Sequence, residues 1–250
     1  MNATAPINLG SSSIHTEQSH IHSDLTKIVA RHAQHPFKKP YAEHNRQAFT
    51  LMMNAWAQRD FPPLILDSGC GVGESSLHIA HAHPNCFVVG IDQSQVRIQT
   101  QKTWWHDSIP DNLLWLRADV VDFWRLLAAQ LTERNQSLYK HYVLYPNPYP
   151  KIGQLHKRWH GHAVFPSLLA LGGTLEVRSN WHIYIDEFTQ AVTQLTHQTP
   201  EFYGLLTNIE PITPFERKYQ ARGEKLWGVR FILPTHAIDT KIISTQYSAD

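Results

Sequence analysis

The chain has 250 residues, 42% of them hydrophobic, and a formal net charge of +1. That length suits one domain with a sizeable core, and no apolar run approaches the roughly 20 residues of a membrane span. The near-neutral balance excludes the strong basic bias of many nucleic-acid binders, so any polyanion must be met by a local basic patch.

Residues 1–23 are polar and rich in Ser, Asn and His, which predicts a loosely packed tail. Its His15, His20 and His22 read better as solvated side chains than as metal ligands, and no metal is expected. The start lacks the apolar core of a signal peptide. The two cysteines, Cys70 and Cys86, form no disulfide framework, and a reducing cytoplasm is the expected compartment. Residues 24–60 carry a helical pattern interrupted at 35–40, placed to cap a sheet or cover a cofactor. The domain that follows spans 61–238, and 239–250 form a second tail.

From Pro63 onward strands and helices alternate. Strands are predicted near 64–68, 86–91, 113–118, 140–145 and 173–179, with helical patterns between them. Runs near 201–207 and 226–233 look like a final antiparallel pair. This pitch implies an α/β fold, a mostly parallel sheet of about seven strands with helices on both faces. In such sheets ligands bind beyond the carboxyl ends of the strands.

The first strand runs into Asp67-Ser-Gly69-Cys-Gly71-Val-Gly73 and a helix start. Alternate glycines remove Cβ atoms where a ligand lies against the backbone. A dinucleotide site would want G-x-G-x-x-G, but Glu74 stands where the third glycine belongs, and a carboxylate there would repel a pyrophosphate. The pattern suits a ligand without phosphate. S-adenosyl-L-methionine, with its cationic sulfonium, fits, and Asp67 adds negative charge nearby. The second strand ends at Asp92, next to Gln93, where a carboxylate can accept both hydroxyls of a ribose. Asp119 and Val120 close the third strand. The acid can take an adenine amine while Val120 packs the ring; alternatively, Asp119 is the N-cap of the following helix.

The fourth strand ends in Tyr145-Pro-Asn147-Pro-Tyr149-Pro-Lys151. Prolines fix φ and push each preceding residue toward an extended conformation, so a stiff loop should hold Asn147 and its aromatic neighbours over the cofactor. The densest basic cluster follows, with Lys151, His156, Lys157, Arg158 and the neighbouring Trp159. Lys and Arg there would neutralise phosphates and the aromatics would stack on bases, in preference to forming a plain solvated face.

This order of motifs resembles the bacterial tRNA (guanine-N7)-methyltransferase family. That family shows a glycine-rich turn, an F-P-D-P-W-P-K loop with a basic H-K-R-R run, G-G-x-L, a strand end T-D-W and a late T-x-F-E-x-R-G. The chain reads Tyr145 to Lys151, His156-Lys157-Arg158-Trp159, Gly172-Gly173-Thr174-Leu175, Ser179-Asn180-Trp181 and Thr213-Pro-Phe215-Glu216-Arg217. The likeness spans about 64–233. It implies a Rossmann-like class I methyltransferase with Asp67, Gly69, Gly71, Gly73, Asp92, Gln93, Asp119, Val120 and Asn147 around S-adenosylmethionine. Asn147 would be the catalytic position. Lys151, Asn180 and Thr213 to Glu216, Phe215 included, would meet the guanosine of a tRNA variable loop, and the protein would be a monomer or homodimer.

Two departures matter. The family's loop aspartate is Asn147 here, and the T-D-W aspartate is Asn180. Extra residues, 218–221, also separate Glu216-Arg217 from Arg222-Gly223. Guanine N7 carries a free lone pair, so placement in line with the methyl donor supplies most of the catalysis. An acid would stabilise the positive charge that develops on the ring, and its loss could slow the step by ~10²-fold. The amides could instead mark another RNA base or a small-molecule acceptor, or a catalytically weak RNA- or cofactor-binding module.

Overall fold

A computed structural model describes residues 14, 16–35, 37–104 and 109–238, with backbone alone for 101–104. Helices α1 (Leu25–Gln34) and α2 (Glu43–Ala57) precede the sheet. Strand and helix then alternate through β1 (Leu64–Ser68), α3 (Glu74–Ala82), β2 (Phe87–Asp92), α4 (Gln95–Trp104), β3 (Leu113–Arg117), α5 (Val120–Glu133) and β4 (Lys140–Leu144). Two short 3₁₀ turns, Ile152–Lys157 and Trp159–Gly161, lead to α6 (Phe165–Leu169), β5 (Gly173–Ser179), α7 (His182–Thr196), β6 (Phe202–Leu205), α8 (Pro214–Ala221) and β7 (Trp227–Leu233).

The seven strands form one sheet in the order β3-β2-β1-β4-β5-β7-β6. Strands β1 to β5 run parallel, and β7 lies antiparallel between β5 and β6. The last strand is therefore interior, and the short β6 is the edge. The period of two along each strand sorts side chains to opposite faces. Leu64, Leu66, Val143, Val177 and Phe231 enter the larger core under α1, α2, α5, α6 and α7. Ile65, Val88, Leu113 and Leu144 enter a smaller core with Leu77, Ile79 and Ile98 of α3 and α4.

Strand order reverses between β1 and β4, so the crevice of the fold opens beyond their carboxyl ends. Every predicted strand is present within two or three residues of its expected bounds, because each combines β-branched or aromatic residues with a turn signal at its end. The polar tail departs from expectation in its described part. Thr16 Oγ1 donates to Pro150 O at 2.6 Å, and Gln18, 8% exposed, is bonded to Glu187. Residues 16–22 are a strap, mostly exposed but pinned by Thr16, Gln18 and His22 to the prolyl loop and to Glu187, polar partners that local composition cannot reveal. His15 and residues 239–250 lie outside the described residues.

Candidate active site at the carboxyl edge of the sheet

The turn after β1 is built for close approach. Gly69, Gly71 and Gly73 have φ of 78°, 60° and 77°, the left-handed region that disfavours any residue with a Cβ. A Cβ on Gly69 or Gly71 would meet no protein atom within 4 Å, so the turn faces open space. Gly69 N and Cys70 N both donate to Ile91 O, at 2.8 and 2.9 Å, and tie the turn to β2.

The acids around this turn divide into inner and outer groups. Asp67 is buried beneath it and accepts the hydroxyls of Ser75 at 2.6 Å and Ser76 at 2.7 Å through Oδ2. Burial raises its pKa to about 6, against the lowering effect of the two serines. Gly90 makes room for this arrangement, since a methyl group there would collide with Ser76 Oγ and the Trp115 ring. Asp92 accepts Gly71 N at 3.0 Å and Ser94 N at 2.8 Å, and Arg97 approaches at 3.4 Å. Gln93, exposed beside it, offers its carbonyl to Arg117 Nε.

Asp119 is the N-cap of α5, with Oδ1 accepting Val121 N at 2.9 Å. Only one oxygen is needed for the cap, and Asp119 and Val120 are both half-buried at the edge. The backbone N–H of Asp119 donates to Asn45 Oδ1, and Asn45 Nδ2 donates to Asp122 Oδ2. Asn45 thus anchors α2 to this corner. It went unnoticed in the sequence, although it shares a helical face with Ala48, Met52 and Trp56, and a buried amide on an apolar face needs a polar partner.

Glu74, the first residue of α3, is 5% exposed and bonded by both guanidinium nitrogens of Arg217, one of them at 2.6 Å. Its charge is therefore engaged by α8 rather than directed at the ligand, which weakens the repulsion expected from its position.

The prolyl loop is stiff, but not in the expected way. Tyr145 and Tyr149 each precede a proline, yet their φ values are 50° and 43° rather than extended. Tertiary bonds hold this strained backbone. Tyr145 OH donates to Glu216 Oε1 at 3.0 Å, Tyr145 N donates to Arg178 O, and Arg158 Nε and Nη2 bond Tyr149 O. Asn147 stands exposed at the tip, where Oδ1 accepts Tyr149 N at 3.3 Å.

Three residues expected to meet substrate are instead part of the frame. Arg158 has no exposed surface; it donates to Glu187 Oε2 at 2.6 Å and Gln18 Oε1 at 2.8 Å, so it cannot neutralise a phosphate. A neighbouring run of charge hides this, because only the fold decides which cation turns inward. Glu216 is also fully buried and accepts Tyr145 OH, Arg178 Nη1 at 2.7 Å and Ile212 N at 2.7 Å. Thr213 caps α8 by accepting Glu216 N at 3.0 Å. Phe215 is half-buried, its ring 6.2 Å from Tyr219. Lys151, His156 and Lys157 remain exposed on one side of the loop, with Lys157 Nζ 5.8 Å from the Tyr149 ring centre. Asn180, half-buried at the end of β5, donates through Nδ2 to Glu224 Oε2 at 3.0 Å.

The glycine turn, the prolyl loop and the strand ends thus lie along one edge of the sheet, bridged by α8 through Glu74–Arg217 on one side and Glu216–Tyr145 on the other. A groove of about 640 Å³ lies elsewhere, lined by Ile21, Thr26, Gln190 and Tyr203, and none of the loop residues lines it. Among the described residues no group of three His, Cys, Asp or Glu can hold a metal ion, and no helix is long and apolar enough to cross a membrane.

A family model described as "Putative methyltransferase" matches residues 62–229. The chain belongs to this methyltransferase family. Among similar proteins is the tRNA (guanine-N(7)-)-methyltransferase of Methylobacillus flagellatus, 25% identical over 201 residues, covering 78% of this chain and 80% of that one. The enzyme of the same name from Bordetella pertussis is 24% identical over 246 residues, covering 84% and 93%. The methyltransferase shares its fold with the 16S rRNA methyltransferase KamB, at a TM-score of 0.50 and 16% identity over 78% of this chain and 96% of that one. It is a divergent class I enzyme, and S-adenosylmethionine is its cofactor. The residues present fit that group: an open cradle of left-handed glycines flanked by carboxylates, with the nearby Arg217 already paired to Glu74 and Arg97 to Asp92.

Proposed function

We propose that this is a cytoplasmic enzyme that methylates guanine N7 in tRNA, with S-adenosylmethionine held between the glycine turn, Asp92, Gln93, Asp119 and Val120. The observation that carries the reading is the double clamp of α8. One helix binds the cofactor turn through Arg217 and the prolyl loop through Glu216, so both halves of a methyl-transfer site are fixed to each other. The similar tRNA (guanine-N(7)-)-methyltransferases match 78% and 84% of this chain, which supports the reading.

When bound, the cofactor supplies an electrophilic methyl group on a sulfonium. The chain's part is to orient and to exclude water. Asp92 takes the ribose hydroxyls, displacing the half-exposed Arg97 while Gly71 N stays bonded. The free oxygen capacity of Asp119 takes the adenine amine and Val120 packs the ring. Asn147 projects from the loop tip toward the transfer path, and Lys151, His156 and Lys157 receive the phosphates of the RNA. Guanine N7 donates its own lone pair, so no residue has to remove a proton from the nucleophile.

The test is to incubate the protein with radiolabelled S-adenosylmethionine and bulk tRNA lacking N7-methylguanine, then to separate the nucleosides. Label in N7-methylguanosine is the expected result. Label in another nucleoside, or none despite cofactor binding, overturns the reading.

A further inference from the structure

Two amides occupy positions where the resembling family has acids, yet a carboxylate stands beside one of them, Asn180. Asn180 leaves the end of β5, next to the start of the prolyl loop: β4 and β5 pair at Leu144 and Arg178, and Tyr145 N donates to Arg178 O. Its Nδ2 donates to Glu224 Oε2 at 3.0 Å. Glu224 follows the residues that separate Glu216-Arg217 from Arg222-Gly223, and its backbone N–H is fastened to Tyr219 O at 3.0 Å. Tyr219 packs on the Tyr145 ring, with centroids 5.6 Å apart. Glu224 is half-buried, so its carboxylate is oriented by Asn180 yet keeps part of its surface exposed.

We propose that Glu224, positioned by Asn180, is the acid that reads the methyl-accepting base, taking the place of a carboxylate at 180. This rests on the guanine-N7 reading. A carboxylate accepts several donors through its two oxygens, and the Asn180 bond uses one site on Oε2. The edge of guanine opposite N7 presents adjacent N1–H and N2–H donors, which a carboxylate can receive side by side. Methyl transfer forms the N7–C bond and breaks the S–C bond, with that electron pair returning to sulfur. The positive charge passes to the purine, and N1–H becomes more acidic. A carboxylate on N1–H therefore holds the transition state more strongly than the ground state. An acid at 180 would face Glu224 across the same contact and repel it unless one of them were protonated. The amide removes that conflict and adds a donor.

Exchange of the two groups tests the assignment. Glu224→Gln, Asn180→Asp and the double variant Asn180→Asp/Glu224→Gln are compared with wild type on tRNA lacking N7-methylguanine, with kcat/KM for tRNA and calorimetric affinity for S-adenosylmethionine measured in parallel. Glu224→Gln should lower kcat/KM by about tenfold to a hundredfold and leave cofactor affinity within about twofold. Asn180→Asp should also lower it, and the double variant, with the acid moved to 180, should recover beyond either single variant. Wild-type kcat/KM in Glu224→Gln, or a double variant no better than Asn180→Asp, overturns the proposal while the guanine reading stands. A wild type that forms no N7-methylguanine overturns the guanine reading, and this assignment with it.

Discussion

Asp92 shows how one side chain serves the scaffold and the ligand together. It holds Gly71 N and Ser94 N, and only the Arg97 contact, 3.4 Å long with that side chain 56% exposed, is easily displaced. Asp92→Ala should weaken S-adenosylmethionine binding by about 1.5–3 kcal/mol, the scale of hydrogen bonds to a charged group. Arg97→Ala should leave it within a few tenths. Calorimetry giving equal losses for both would remove Asp92 from the ribose site. Asn147 poses the opposite question, since its only described bond closes a local turn through Tyr149 N. Aspartate can accept that bond equally well. Asn147→Asp should therefore keep the fold and cofactor affinity, and single turnover on tRNA should be retained or raised by a charge opposite the developing cation. A fall in turnover with unchanged melting temperature would show that the amide's donor is needed.

The elements that shape the site do so through the strap. Residues 16–22 reach the prolyl loop at Pro150 O and the buried Arg158–Glu187 pair through Gln18. Arg158 in turn holds Tyr149 O and Lys151 O, so the loop's strained backbone is locked from behind. Gln18→Ala leaves Arg158 Nη2 with one acceptor fewer and exposes the pair to water. The expected outcome is a loss of about 1–3 kcal/mol in stability and faster amide exchange at Tyr149, with cofactor affinity unchanged. Unaltered exchange in the loop would separate the strap from loop positioning.

Two whole-molecule properties follow from where the charges sit. Burial pushes the Glu187 carboxyl up, but the His160 hydrogen bond and the paired Arg158 guanidinium outweigh it and hold its pKa at about 2. A depressed acid contributes stability that is present above its unfolded value of about 4.5 and is lost as pH falls toward 2. Asp67 runs the other way: raised to about 6, it favours its neutral form, and its contribution is present below about 3.8 and lost as pH rises through 6. Glu187→Gln leaves Arg158 buried without a counter-charge, so denaturant melts at pH 7 should show a loss of about 3–5 kcal/mol that shrinks toward pH 2. A loss independent of pH would indicate a packing defect instead. Net charge sets the second property. With +1 overall and Arg158 inward, the loop offers Lys151 and Lys157 as its exposed cations. Lys151→Ala/Lys157→Ala should weaken tRNA binding and reduce the salt slope by about 2. An unchanged slope in filter binding would move the RNA surface elsewhere.

The local order was legible because it is written in contiguous residues. Leu64 to Leu66 and Phe87 to Ile91 are apolar runs that end at turn signals, the glycine turn carries its own conformational preference, and Asp119 caps a helix beginning one residue later. These features depend on backbone sterics and periodicity within about ten residues, and so they announced the α/β sheet, the cofactor turn and the prolyl loop. What the tertiary structure alone decided is the fate of charged and polar side chains. Arg158 and Lys157 are neighbours in one basic run, yet one is buried against Glu187 and Gln18 and the other is exposed. Glu74 and Arg217 stand 143 residues apart and pair across the crevice. The left-handed backbone of Tyr145 overrides the preference of a residue before proline, because Glu216, reached only through the fold, holds its hydroxyl. A buried charge must find its partner wherever the fold brings one, and that choice is made by packing across distant segments rather than by the neighbours each residue has along the chain.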